Sequence, residues 1–307
     1  MATVEPSSPT DQDLSVAVEP PLRLHLGVVG TGTMAQAMIA GLLDRGLVPA
    51  DRILCSHPRP GRRERLEAEL GVATTASNPA AVAGANVVLI AVKPQVLPRV
   101  MPELSGRIPS EALVISIVAG ASTGVLGAGL GHPALVRAMP NTPAQIGSGV
   151  TVWYGTPDVG PEGVAITRLL LSALGSEIQV EQEELVAMAT AVSGTGPTYT
   201  FLFLEAMIDA AVHLGFPRHV ARRLVVETVV GSAEFAAQSD RHVAELRDMV
   251  TSPGGTSAAA LAELERGRFR TVVSDSVWAS YRRTLELEEG LRKRSERPVG
   301  PEGTRPG

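Results

Sequence analysis

Leu24-His25-Leu26-Gly27-Val28-Val29-Gly30-Thr31-Gly32-Thr33-Met34-Ala35 is the stretch on which the fold of this chain turns. Its first half is a mostly apolar run suited to a buried strand, and its second half spells G-x-G-x-x-A. From Gln36 to Asp44 the apolar spacing becomes helical, and it closes at Arg45-Gly46. Glycines cluster by chance, so the pattern alone says little. Strand, glycine turn and helix in that order are the context that a dinucleotide fingerprint requires. The glycines allow a tight turn and a close approach of backbone to pyrophosphate, which then rests on the helix N-terminus.

Further α/β units follow. Strands are expected at Arg52–Cys55, Asn86–Val92, Ala112–Val118, Leu135–Met139, Val150–Tyr154 and Glu177–Val180, with a helix at Arg63–Leu70. These runs show little alternation, as strands buried on both faces of a mainly parallel sheet do. Ligands of such sheets lie beyond the carboxyl ends of the strands. Val92-Lys93-Pro94-Gln95, Val118-Ala119-Gly120 and Met139-Pro140-Asn141-Thr142-Pro143 fall there, and their prolines end the strands abruptly. Lys93 is equally readable as a surface charge. After the second strand, an NAD site usually places an acid for the ribose hydroxyls. Here the chain reads Cys55-Ser56-His57-Pro58-Arg59-Pro60-Gly61-Arg62-Arg63, with no carboxylate before Glu64. A hydroxyl, an imidazole and guanidinium groups suit a 2′-phosphate, so NADPH is expected, with NADH possible.

Past Glu181-Gln182-Glu183-Glu184 the character changes to long helices. One is expected from Thr198 to His213, stopped by Gly215 and Pro217, and another from Arg218 to Gln238. The first is apolar around most of its circumference, which requires burial on more than one side. About a hundred residues of such helices bury little as a lone subdomain, so a homodimer is expected through this half. Thr251-Ser252-Pro253-Gly254-Gly255-Thr256-Ser257 then precedes Ala258-Ala259-Ala260-Leu261. Paired glycines let the chain turn where a helix begins, and the free N–H groups of that first turn suit a small carboxylate. An ordinary capped helix start has the same look. A last helix is expected over Arg270–Leu287.

The reading is therefore a disordered leader at residues 1–22 and a Rossmann-like domain at 23–182. An all-helical dimerisation and substrate domain follows at 183–287, then a disordered tail at 288–307. With 44% hydrophobic and 19% charged residues the chain is globular, and a net charge of −5 gives no electrostatic reason to expect nucleic acid. The single cysteine, Cys55, excludes an internal disulfide and fits a reducing compartment, so a cytoplasmic protein is expected. No apolar run reaches the length of a membrane span. The leader lacks a basic start before an apolar run, unlike a signal peptide. The six histidines show no metal-ligand spacing, and neither a G-x-S-x-G elbow nor a P-loop is present. The helical half offers no nucleophile–base pair. A substrate that is already electrophilic, such as a protonated cyclic imine, would need none.

Five segments in order carry a resemblance: Gly30–Ala35, Ala91-Val92-Lys93-Pro94, Arg137-Ala138-Met139-Pro140-Asn141-Thr142-Pro143, Ser193-Gly194-Thr195-Gly196-Pro197-Thr198-Tyr199, and Asp248–Thr256. Over Leu24–Leu287 the chain resembles the pyrroline-5-carboxylate reductases, the last enzymes of proline biosynthesis. The resemblance implies reduction of L-1-pyrroline-5-carboxylate by NADPH or NADH. It places cofactor contacts on Gly30, Thr31, Gly32, Thr33, Met34 and Ala35, on Ser56 or His57, and on Arg59 and Asn78. Ala91, Val92, Lys93, Pro94, Ala119 and Gly120 complete that set. The substrate carboxylate falls to Ser252, Gly254, Gly255, Thr256 and Ser257, near a partner subunit, with Glu183 close to the substrate. Ser257 matches the family's hydrogen-bond donor to the ring nitrogen, where many relatives carry Thr. It keeps the hydroxyl without the β-branch that would orient it. Thr198 stands where Ala is usual. Two other readings stay open. A β-hydroxyacid dehydrogenase would want a lysine on the first long helix, and Ser193–His213 contains none. A non-catalytic NADP-binding sensor would have no use for a carboxylate site.

Overall fold

The computed structural model describes residues 24–295. The expected leader, and the tail beyond Ser295, lie outside the described residues. The described residues divide into two compact units, one comprising 24–187 together with 286–295, the other Met188–Leu285.

The first unit is built on one eight-stranded sheet: β1 (Leu26–Val29), β2 (Ile53–Ser56), β3 (Ala73–Thr75), β4 (Val87–Ile90), β5 (Leu113–Ser116), β6 (Leu135–Met139), β7 (Gly149–Gly155) and β8 (Gly175–Gln179). The order is β3-β2-β1-β4-β5-β6-β7-β8, parallel throughout except where β7 runs antiparallel to β6. This contains the doubly wound order in which the crossover switches direction between β1 and β4. β1, β4 and β5 are buried at every position, as strands covered on both faces must be. Helices α1 (Thr33–Asp44), α2 (Pro60–Leu70), α3 (Asn78–Val82), α4 (Leu97–Leu104), α5 (Thr123–Leu130) and α6 (Gly160–Ser172) connect them. One core joins Met38, Ile39 and Leu42 of α1 and Leu170 and Leu171 of α6 to Val28, Leu89, Ile115 and Trp153. The other joins Leu97, Val100 and Leu104 of α4 and Leu126 of α5 to Val29, Val88, Ile90 and Val114. Cys55 is fully buried, and burial pushes its thiol up to about 12, which keeps it protonated and inert.

α7 (Glu184–Ala189) is followed by a π-helical turn at Thr190–Gly194, then by α8 (Gly196–His213), α9 (Arg218–Ala237), α10 (Val243–Met249), α11 (Thr256–Arg266) and α12 (Phe269–Ser295). In the second unit Thr195 Oγ1 meets Ser280 Oγ at 2.8 Å, and the Tyr199 hydroxyl donates to the Ala191 carbonyl at 3.3 Å. The burial expected of α8 is not met within this single chain: Phe201, Leu202, Phe203 and Met207 are all exposed.

One expectation needs correcting. Glu288–Ser295, read as the start of a disordered tail, continues α12. Leu291, one helical turn beyond Leu287, is 4% exposed and packs in the second core of the sheet unit. The tail's prolines begin only at Pro298, so no proline breaks the helix in 288–295, and the single glycine there, Gly290, is tolerated. Among the described residues, no helix is long and apolar enough to cross a membrane.

Candidate active site

The glycine turn sits at the carboxyl end of β1, where α1 begins. Gly30 adopts φ +89°, a left-handed conformation, and a Cβ there would lie 2.8 Å from Val92 Cγ1. Only glycine lets β1 turn this closely against the end of β4. The Gly30 N–H donates to the Ser56 carbonyl at 3.3 Å, and the Ala91 N–H donates to the Val29 carbonyl at 2.9 Å. The expected cofactor residues on three strand ends are thereby brought together. Ala35 is 1% exposed in the core, where its small side chain lets α1 lie close to the sheet.

The residues fit a bound dinucleotide. α1 has no side-chain cap, so its first N–H groups remain open toward the turn. A Cβ on Gly32 would meet no atom within 4 Å. Thr31 is 2% exposed, yet its Oγ1 has no hydrogen-bond partner among the described residues. An uncapped helix start, open space above it and an unpaired buried hydroxyl together match a phosphate-sized acceptor.

The loop after β2 divides its labour. Ser56 is fully buried, and its hydroxyl donates to Asn78 Oδ1 at 2.8 Å, with the Val28 carbonyl 3.2 Å away. Asn78 Nδ2 in turn donates to Glu103 Oε2 at 2.8 Å. Ser56 and Asn78 thus build the loop's floor. His57 is half-buried, Arg59 and Arg62 are exposed, and Arg63 Nη1 donates to the His57 carbonyl at 2.9 Å. His57 Nδ1 accepts the Arg59 N–H at 3.1 Å. Burial, and then the charges of Arg59, Arg62 and Arg63, hold the His57 imidazole below the usual histidine range. Lys93 is exposed, and its carbonyl accepts the Val96 N–H at 2.8 Å.

Of the substrate residues inferred from sequence, Ser252, Gly254, Gly255, Thr256 and Ser257 lie in the second unit. Gly254 has φ +71°, and Gly255 stands as N-cap of α11 with no side-chain cap. A Cβ on Gly255 would lie 2.4 Å from Ser252 Oγ, so any other residue would push that hydroxyl aside. Thr256 and Ser257 are the first two residues of α11, and their N–H groups have no intrahelical acceptor. The loop therefore offers open backbone donors at a helix start, with the Ser252 hydroxyl beside Gly255.

Glu183 sits in the first unit, with both oxygens committed. Its Oε1 accepts the Thr123 N–H at 2.7 Å, and its Oε2 accepts the Thr123 hydroxyl at 2.6 Å. Arg137, 4% exposed on β6, bonds Glu183 Oε1 at 3.2 Å and also pairs with Glu288. Removing one partner of a buried pair typically costs about 3–5 kcal/mol, because the other charge is stranded. Sequence reasoning assigned no role to Arg137 or Glu288. The available signal was an arginine inside the apolar strand Leu135–Met139, a charge that must find partners.

Sheet order and glycine turn together define a dinucleotide-binding α/β protein with a helical second unit. The pyrroline-5-carboxylate reductase of Synechocystis sp. is 40% identical over 266 residues, covering 87% of this chain and 99% of that protein. The chain belongs to the pyrroline-5-carboxylate reductase family. Residues 183–287 match the family model described as pyrroline-5-carboxylate reductase dimerisation, and residues 25–120 match NADP oxidoreductase coenzyme F420-dependent. The Escherichia coli pyrroline-5-carboxylate reductase is 34% identical, over 86% of this chain and 98% of that protein. Among solved structures, the Coxiella burnetii pyrroline-5-carboxylate reductase superposes with a TM-score of 0.80 at 33% identity, covering 86% of this chain and 98% of that one. The Plasmodium falciparum pyrroline carboxylate reductase with NADP bound also has a TM-score of 0.80, at 28% identity, covering 87% and 98%.

Proposed function

We propose that this protein reduces L-1-pyrroline-5-carboxylate to L-proline with NADPH, NADH serving as an alternative donor. The observation that carries this reading is the uncapped start of α11 behind Gly254-Gly255, a site for a small carboxylate in a chain whose other half is built to hold a dinucleotide. When bound, the reduced nicotinamide supplies hydride from its C4. Backbone N–H groups of Thr256 and Ser257, with Ser252, hold the substrate carboxylate, and the Ser257 hydroxyl stands at the ring nitrogen, to which it donates as hydride addition restores the nitrogen's lone pair. The imine carbon gains the hydride, and the nitrogen remains protonated as the secondary amine. Because the protonated C=N bond is already electrophilic, the protein's share is positioning. Hydride transfer to a ketone would need a stronger proton donor. The family match disfavours both the β-hydroxyacid dehydrogenase and the sensor. NADPH oxidation dependent on pyrroline-5-carboxylate, with proline as product, is the expected assay result. Oxidation only with β-keto acids would contradict it.

The residue ranges read from sequence, a nucleotide domain at 23–182 and a dimerisation and substrate domain at 183–287, complete this reading. The second unit leaves Phe201, Leu202, Phe235 and Trp278 exposed, which favours a homodimer through these helices, and the lone Cys55 fits a reducing compartment such as the cytoplasm. A monomer by light scattering at working concentration would contradict the dimer.

His57, Arg59 and Arg62 are the groups proposed to take the 2′-phosphate. Arg59→Ala should raise the NADPH Kd about tenfold or more, the scale of a charge-assisted hydrogen bond, and leave the NADH Kd almost unchanged. Equal losses would refute the assignment. A pH dependence follows from the lowered His57 pKa. A bound phosphate dianion favours the imidazolium, so binding takes up a proton. NADPH affinity therefore rises as pH falls between the phosphate-bound and the free pKa, and NADH affinity does not. Titrating both cofactors from weakly basic to weakly acidic pH checks the sign. His57→Asn should remove the histidine's part of the slope.

A further inference from the structure

The charge network around Arg137 was given no part in the chemistry above, yet it holds one loop at its far end and borders it at a second place. That loop runs from Ala119 to Ser122, between β5 and α5. At its far end, Glu183 holds the Thr123 N–H at 2.7 Å and the Thr123 hydroxyl at 2.6 Å. At its near end, Gly120 has φ +74° and borders the backbone of α12. A Cβ on Gly120 would lie 3.4 Å from the Glu288 nitrogen and 3.4 Å from the Leu287 carbonyl carbon. Glu183 and Glu288 are joined by the same buried guanidinium, that of Arg137. Leu291, three residues past Glu288, anchors this end of α12 in the core.

We propose that Arg137, through Glu183 and Glu288, positions the Ala119–Ser122 loop for hydride transfer. The proposal rests on the reading that Ala119 and Gly120 contact the cofactor, and it assigns that contact to the nicotinamide end. Arg137 and Glu288 act here as positioning residues, through Glu183, which the family resemblance also places near the substrate. Arginine suits the task because its planar fork addresses two carboxylates at once, whereas a lysine ammonium is a single point charge. The phosphates of the cofactor would bind elsewhere, at the start of α1 and at Arg59. Loosening the Ala119–Ser122 loop should therefore change how the ring is presented more than how tightly the cofactor binds.

The test uses the full chain and NADPH deuterated at the transferred position. Glu288→Ala should lower kcat about ten- to a hundredfold, the scale of a sub-ångström to one-ångström misplacement. It should also raise the primary isotope effect on kcat and keep the NADPH Kd within about twofold of wild type. Glu288→Gln still accepts from the guanidinium and should recover part of kcat. If Glu288→Ala does not fold, Glu288→Gln and Arg137→Lys carry the same readouts. A lower melting temperature with wild-type kcat and isotope effect would overturn the proposal. Ala119→Leu separates the two layers. It should weaken NADPH, and if it does while the Glu288 and Arg137 variants leave kcat and isotope effect unchanged, the positioning role alone is overturned. If Ala119→Leu leaves NADPH affinity and isotope effect intact, the placement of the loop at the nicotinamide falls, and the proposal with it.

Discussion

Gly32→Val is expected to abolish useful NADPH binding in a protein that stays folded. Gly32 has φ −72° and ψ 177°, an extended conformation that valine adopts readily. Its Cβ would meet nothing within 4 Å. No side-chain cap is lost, because α1 has none. The substitution should therefore shift the melting temperature by no more than about 2 °C, as surface changes without a named defect do. Space that is empty in the protein alone is where a pyrophosphate would lie against the first N–H groups of α1. A branched side chain there should raise the NADPH Kd at least about a hundredfold, roughly 2.7 kcal/mol. Fluorescence titration reads the Kd, and an unchanged value would remove the cofactor from this turn. Gly30→Val is a poorer test: its φ of +89° and its closeness to Val92 would damage the fold as well.

The second large effect concerns chemistry. Ser257→Ala should lower kcat about a hundredfold, the low end of what a positioned hydrogen bond that strengthens in the transition state contributes, and leave NADPH affinity unchanged. Its position as the second residue of α11 gives the argument its edge. Alanine keeps the backbone N–H and favours the helix, so the carboxylate site survives while the hydroxyl is lost. Ser257→Thr should retain activity, since it keeps the hydroxyl and restricts its rotation. Wild-type steady-state kinetics for Ser257→Ala would exclude the hydroxyl from the reaction.

The sheet was legible because its strands are continuous apolar runs and because the glycine turn has a specific mechanical role. β3 was not. Ala73-Thr74-Thr75 is a short edge strand without a buried face, so it carries no apolar pattern. α4 and α5 are also masked in sequence, α4 by Pro98 and Pro102 and α5 by its glycines, which blur the helical period. The end of α12 was lost by averaging composition over the tail, although Leu291 sits one turn past Leu287. The two glycine turns, each at an uncapped helix start, were readable from glycine and hydroxyl spacing. The Arg137 network was not, because its partners lie 46 and 151 residues away along the chain. A lone sequence says that a buried arginine needs carboxylates, and only the fold says which.

A crystal structure of the protein with NADP+ and L-proline bound puts the central claim to its most direct test. The account predicts the proline carboxylate about 3 Å from the backbone nitrogens of Thr256 and Ser257, the ring nitrogen within reach of the Ser257 hydroxyl, and the nicotinamide facing the ring carbon that received hydride. Proline bound elsewhere, with the Gly254-Gly255 bend facing solvent, would contradict it.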